Sequence, residues 1–187
     1  CASPSPIFPD GELTSLPIPA PDDLPYRAVR GSDGRPLSRL MRELSIAACD
    51  STCHLDPDVY PWSLKRRRGW RPCFGQNGAA QAHLQNQQVG IGDVFLFFGF
   101  FRPVERDGRA WRFVRGTLPG MHVLYGWLEV GKILRVDAAA SVPSWVSYHP
   151  HCLPRHRAKP HNVIYLAAER SRLAPRRPGC GLFRFSA

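Results

Sequence analysis

Proline constrains this chain more than any other residue. Pro4, Pro6, Pro9, Pro17, Pro19, Pro21, Pro25 and Pro36 all fall within residues 1–36. Each fixes φ at about −65° and removes a backbone donor, so no regular helix survives there and the backbone is extended. Ile7, Phe8, Leu13, Leu16 and Ile18 punctuate the stretch with apolar anchors. Residues 1–36 therefore read as an ordered arm packed on a domain formed by residues 37–187. Over the whole chain, 19 Pro and 16 Gly in 187 residues argue against a helical bundle and for turns, short strands and irregular connections. The length suits one domain.

After Pro36, residues 38–44 read as a short helix with Leu37, Leu40, Met41 and Leu44 on one face. Asn77 is placed to cap a second helix over residues 78–88, where Ala80, Leu84 and Gln87 share a face, and Gly90 and Gly92 end it. Residues 93–101 form a nearly continuous apolar strand, too rich in Phe to leave a solvent face and so expected to be central. Asp107-Gly108 is a hairpin turn, residues 121–136 hold one or two further strands, and residues 162–168 another. The expected fold is α+β: a compact single domain with a strongly bent mixed sheet and a few short helices, preceded by the Pro-rich arm.

The longest apolar run, residues 94–101, is interrupted by Gly99, so no membrane span is expected. No signal peptide opens the chain, and a cytoplasmic setting is the expectation. The six cysteines at 1, 49, 53, 73, 152 and 180 are neither dense nor regular, which favours reduced thiols over a disulfide framework. The chain starts at Cys1 and stops at Ala187 without a helix end, and reads as a fragment lacking both ends.

Charge is unevenly spread. Residues 1–60 carry 5 basic and 9 acidic side chains, and residues 61–187 carry 20 and 6. A field of that sign attracts a polyanion, the electrostatic footprint of nucleic-acid contact. With 22 Arg against 3 Lys, planar bidentate contacts to phosphate and guanine are well served, although a GC-rich coding bias also produces such a ratio.

Three segments carry candidate chemistry. In His54-Leu55-Asp56-Pro57-Asp58, Pro57 biases Asp56 toward extended backbone. Residues 54, 56 and 58 would then project to one side. One imidazole and two carboxylates converging there suit a divalent metal or acid–base work; the alternative is turn chemistry, with the carboxylates capping backbone amides. The second segment runs from Phe74 through Gly75, Gln76 and Asn77 to Gln81, His83 and Gln85, and offers small residues at a helix start and polar groups able to read a base edge. Its alternative is a solvated helix.

The third segment is His149-Pro150-His151-Cys152, whose two imidazoles point the same way in an extended segment, as metal ligands or phosphate-facing groups do. His156 and His161 read as surface histidines in a basic loop. A zinc site from Cys49, Cys53, His54 and Cys73 is disfavoured because the Cys49/Cys53 spacing has no matching second pair. Lys65-Arg66-Arg67-Arg68 between Trp62 and Trp70 mixes charge with stacking surface, as single-strand binders do, or is a solvated loop. Cys73 reads as a small buried hydrophobe. Phosphate-binding glycine motifs, a nucleophile elbow and His-Glu-x-x-His are absent from the sequence.

A Gly-Asp start, a buried strand and the segment His122-Val123-Leu124-Tyr125-Gly126-Trp127-Leu128-Glu129-Val130 resemble the small barrels of the PUA, ASCH and EVE superfamily, which bind RNA or modified DNA bases. More specifically, the chain resembles the nucleotide modification associated domain family, the third of the domains given that name. The matching stretches are residues 4–11 with 15–19, His54 to Asp58, Phe74-Gly75-Gln76 with Gln81 and His83-Leu84, Gly92 to Gly99, His122 to Trp127, His149-Pro150-His151 and Asn162-Val163-Ile164-Tyr165. They follow in order across nearly the whole chain.

The resemblance implies company with bacterial and phage systems that make or handle modified bases in DNA. DNA or a nucleotide, with other components of such a system, would be the partners. Family members open with an Arg-Lys-Gly-Phe-Asp-type segment before the Pro-Ser-Pro-Ile stretch, and this chain has none. Two functions follow: recognition of a nucleotide or a flipped modified base, or an enzyme acting on a base or nucleotide. In the first, Arg71, Gly75, Gln76, Gln81, His83, His122, His149 and His151 are the candidate nucleotide-binding residues. In the second, His54, Asp56 and Asp58 are the candidate catalytic residues, with a divalent metal as the candidate cofactor.

Overall fold

A computed structural model describes residues 3–47, 51–116, 120–136 and 141–186. Cys1 and Cys49 lie outside the described residues. The elements in chain order are β1 (Ser5–Ile7), β2 (Ile18–Pro25), α1 (Leu37–Glu43), β3 (Thr52–His54), β4 (Cys73–Gln76), α2 (Gly78–Asn86), β5 (Val94–Asp107), β6 (Ala110–Phe113), β7 (Met121–Arg135), α3 (Pro154–Arg157), β8 (Val163–Ala167) and β9 (Cys180–Leu182). Short 3₁₀ turns at Ser144–Val146 and Pro150–Cys152 sit between β7 and α3.

The main sheet runs β1-β5-β7-β8-β4, with β6 on the far half of β5 and β9 alongside β7. β1 is parallel to β5 and the other pairings are antiparallel, so the sheet is mixed. Its path ends at β1 and β4, which do not pair, so this α+β sheet is bent and open rather than a closed barrel. Bending comes from irregular register at Phe97/Phe98 on β5 and at Val130/Lys132 on β7. At the second bulge a Cβ on Gly131 would lie 2.5 Å from Ala168 Cα, so only glycine lets the two chains approach there.

The Pro-rich arm is ordered and contributes strands. Ser5–Ile7 extends the main sheet, and Ile18–Pro25 pairs with β3 in a separate two-stranded sheet. Proline is tolerated there because both are edge strands. Ile7 and Leu13 enter the main core with Phe97, Phe101, Tyr125, Leu128 and Tyr165. Phe8, Leu16 and Leu24 pack on a second cluster around Met41, Leu40 and Tyr26. The clasp between Phe185 N–H and Gly11 O, at 2.7 Å, holds the arm to residue 185.

The Phe-rich strand does have a solvent face, contrary to the sequence reading. Phe97 and Phe101 are buried, whereas Leu96 is 56% and Phe98 68% exposed. The run of apolar residues conceals an alternation: Phe95, Phe97 and Phe101 face the core with Leu84 of α2 and Val89 beyond it, whereas Leu96 and Phe98 face solvent. Asp107 pairs with Ala110 across the Gly108-Arg109 turn, as the hairpin signal anticipates. Asn77 occupies the N-cap position of α2 without a side-chain capping bond. No helix among the described residues is long and apolar enough to cross a membrane. Among the described residues, Cys73, Cys152 and Cys180 are free thiols.

Candidate active site

Strand pairing assembles the site from three distant segments. β2 pairs with β3 and carries His54 to the end of its strand. β4 pairs with β8 in the register Gln76↔Val163, which sets Asn162 next to the last residue of β4. The 3₁₀ turn Pro150–Cys152 then lies over Gly75, so closely that a Cβ there would sit 2.4 Å from His151 Cδ2. Glycine at 75 is thus a steric requirement of the His151 ring.

Asp56 is the centre of the arrangement. Both its oxygens accept the Gly75 N–H, at 2.9 and 3.1 Å. Three imidazoles face it: His151 Nε2 at 3.4 Å and His54 Nε2 at 3.8 Å from Oδ2, and His149 Nε2 at 3.6 Å from Oδ1. The His156 ring lies 5.3 Å from both His54 and His151. Ligand atoms of His54, Asp56 and His151 all lie within 4.8 Å of one another.

Hydrogen bonding fixes what each group presents. Asn162 Nδ2 donates to Val136 O, His151 O and His156 O at 2.8–3.0 Å. Its Oδ1 must therefore be the atom 2.6 Å from His151 Nδ1, so Nδ1 carries the hydrogen and Nε2 turns a lone pair toward Asp56. Burial pushes His151 down to about 4, outweighing the nearby Asp56 charge, and keeps the ring neutral at neutral pH. His149 is fully buried; its Nδ1 accepts the His151 N–H and its Nε2 makes no hydrogen bond.

A cavity of about 540 Å³ opens on this cluster, walled by β2 residues Ile18, Ala20 and Pro21 on one side and by Gln76 and Asn77 on another. Arg155, His156 and Lys159 complete its rim. A second cavity of about 310 Å³ adjoins it and shares Ile18 and Asp56. That cavity is lined by Tyr60, Tyr125, Phe98, Gly99 and Phe100, with Ser5 and Ser15 as polar edges.

The structure separates the remaining sequence candidates from this centre. Asp58 does not project with His54 and Asp56. It is fully buried, pairs its backbone with Cys73, and takes both Arg66 guanidinium nitrogens at 2.6 Å. Arg66 also stacks 3.9 Å over Trp70, so this member of the basic run serves the interior instead of offering stacking surface. Gln81 is buried and accepts the Tyr165 hydroxyl at 3.0 Å. His83 is exposed on α2 and lines neither cavity. His122 lies on the uncovered sheet face against Phe98 and Phe100. Arg71 donates to Ala167 O and borders another cavity beside Trp62 and Trp70. At the start of α2 the Gly78 N–H is taken by Pro160 O at 2.8 Å, so that amide does not face a phosphate. Burial first, then the nearby Asp58 and Asp56 charges, raise the Cys73 thiol well above its ordinary range and make it a poor nucleophile.

His156, Asn162, Asn77, Arg155 and Lys159 also border the site; the sequence made His156 a surface histidine, Asn77 a helix cap and Asn162 part of a family-matching stretch, and pointed to neither Arg155 nor Lys159. His156 in particular packs on His54 and His151 and is not a loose surface residue. The signal for Asn162 was its place immediately before an apolar strand; a polar residue there is available to tie neighbouring loops. Asn77 turns its side chain toward His156 Nδ1, at 3.5 Å, which explains its missing cap bond.

A family model described as nucleotide modification associated domain 3 matches residues 2–187, and the chain belongs to that family. No curated protein and no solved structure matches it.

Proposed function

We propose that this member of the nucleotide modification associated domain 3 family holds a nucleotide, free or as a flipped residue of DNA, across the two cavities and acts on it beside Asp56. Family membership carries a role associated with nucleotide modification. The observation that carries the finer reading is the meeting of a basic cavity and an aromatic one at a single buried carboxylate. Their sizes fall within the range of about 300–1,000 Å³ usual for small-molecule sites. A base has apolar and aromatic surface at Leu55, Tyr60 and Tyr125, where Gly99 lets a planar ring approach the strand. A phosphate finds Arg155 and Lys159 at the rim of the larger cavity, away from the Asp56 charge. The sugar that links base to phosphate, with its glycosidic bond, then lies over Asp56, within reach of proton transfer by His54 or His156.

The surrounding Arg-rich half of the chain suits a DNA backbone, and other components of a base-modification system are the expected company. The test is a panel of nucleoside phosphates and of oligonucleotides with and without modified bases, assayed for binding and for product with wild type, Asp56→Asn and Lys159→Glu. Lys159→Glu is expected to weaken binding by about tenfold or more, as loss of a charge-assisted contact does. Asp56→Asn is expected to retain binding and lose product formation by about 100-fold or more. Binding without product in the wild type would make this a recognition domain and sink the catalytic half of the reading. Absence of binding at millimolar ligand would sink both halves.

A further inference from the structure

The geometry points to a divalent metal site of the zinc class formed by His54 Nε2, Asp56 Oδ2 and His151 Nε2, with one coordination position open to the cavity. This inference deepens the reading of that cavity as reactive, and it stands on the protein's own donors whether or not a nucleotide binds.

Spacing is the first argument. In a tetrahedral ion with bonds of about 2.0–2.1 Å, adjacent ligand atoms are about 3.3–3.4 Å apart, against about 2.9 Å in an octahedral one. His151 Nε2 lies 3.4 Å and His54 Nε2 3.8 Å from Asp56 Oδ2. The first matches the tetrahedral edge and the second needs an inward shift of only a few tenths of an ångström. Neither distance is a hydrogen bond, and the third edge, between the two imidazoles, is within 4.8 Å.

The shell around them is the second argument. A ligating histidine ordinarily gives its other ring N–H to a fixed acceptor, which sets its tautomer and aim. His151 gives Nδ1–H to Asn162 Oδ1 at 2.6 Å, and Asn162 is locked by three backbone carbonyls. Asp56 is held by the Gly75 N–H.

The third argument is independent. His149 is fully buried, its Nδ1 accepts a backbone N–H, and its Nε2 points at Asp56 Oδ1 from 3.6 Å with no partner. An orphaned buried donor is costly, and an ion that draws Oδ2 inward re-aims Oδ1 toward it. His149 is thus a positioning residue for the carboxylate. Two imidazoles and one carboxylate suit Zn²⁺ and neighbouring borderline ions better than Mg²⁺ or Ca²⁺, which prefer all-oxygen shells. The cavity these donors line is also bordered by Gln76, Arg155 and Lys159, and there water or a phosphate oxygen would complete the sphere.

Chelator-treated protein titrated with Co²⁺, without nucleotide, tests the site directly. The expected result is a single equivalent bound with an intense visible absorption typical of four-coordinate cobalt, displaced by Zn²⁺. His54→Gln and His151→Gln are each expected to lower affinity by about 100-fold or more, and Asn162→Ala, acting through His151, by about 10–100-fold. His161→Ala, an exposed histidine outside the cluster, serves as the control and should bind as wild type. Should His151→Gln fold poorly, His54→Gln decides, because His54 is at the cavity wall. No bound cobalt, a pale six-coordinate spectrum, or binding indifferent to His54→Gln would each overturn the assignment. Because metal binding is read without nucleotide, its failure is distinct from failure of the nucleotide assay.

Discussion

Asp58→Asn should behave as a folding mutation, although Asp58 lies two residues from the centre of the site. Asp58 is fully buried and its carboxylate holds both Arg66 nitrogens at 2.6 Å, with Ser63 Oγ at 3.1 Å and the Tyr148 hydroxyl as further donors. Asparagine keeps the shape but removes the charge and turns an N–H₂ toward the guanidinium. Breaking one side of a buried pair costs about 3–5 kcal/mol. The Arg66 side chain is 14% exposed and can recover some hydration, which sets the expectation at the lower end, about 3 kcal/mol. For a chain of this length each kcal/mol moves Tm by about 2–4 °C, so Tm should fall by roughly 6–12 °C. The assay is thermal melting beside Co²⁺ affinity and nucleotide binding at a temperature where both proteins are folded. If Tm moved by less than about 2 °C while binding or turnover collapsed, Asp58 would belong to the chemistry and the ion-pair argument would be wrong.

Two further outcomes follow from named contacts. Gly75→Ala puts a methyl 2.4 Å from the His151 ring, so Co²⁺ affinity should drop by at least about tenfold; unchanged affinity would show that Gly75 does not set the ring's position. Glu129 is buried, which by itself raises its pKa, but the Ser171 hydroxyl and the Arg172 N–H bonds more than offset that and hold it below its ordinary 4.5. A carboxyl whose folded pKa is depressed stabilises the protein above the unfolded value and loses that contribution as pH falls through the folded one. Melting temperature should therefore fall more steeply below pH 4.5 in wild type than in Glu129→Gln; parallel slopes would refute the role given to this carboxylate.

Half of the candidate site was legible in the sequence because alternation carries information in extended segments. His54 and Asp56 stand two apart and do reach a common centre; His149 and His151 reach it too, but through the 3₁₀ turn Pro150–Cys152 and not through the extended segment expected of them. Asp58 obeys the same spacing and was misplaced by it, since its direction is set by Arg66 and Tyr148, partners 8 and 90 residues away. His83 and Gln81 sit on a short helix whose orientation depends on the core beneath it, and only Gln81 turns inward. Asn162 and His156 could not be assigned roles without the β4–β8 register that brings their loop to Gly75. In the fold, β5 to β8 and both longer helices were readable from periodicity and turn residues, whereas the short strands β3, β4 and β9 were not. The exposed face of β5 was not, because Leu96 and Phe98 defy the correlation between apolar character and burial.

The clasp between Gly11 and Phe185 has a kinetic consequence. Closing a loop of 174 residues costs about 4–5 kcal/mol in chain entropy, and one backbone hydrogen bond returns only about 1 kcal/mol. The clasp therefore cannot nucleate anything: it forms after the sheet has already brought both segments together. By the same reasoning it should be the first contact to come apart. The Phe185 amide should exchange with deuterium through local unlatching, well before the amides of Ile164 and Tyr165 on the buried strand β8, which wait for global unfolding.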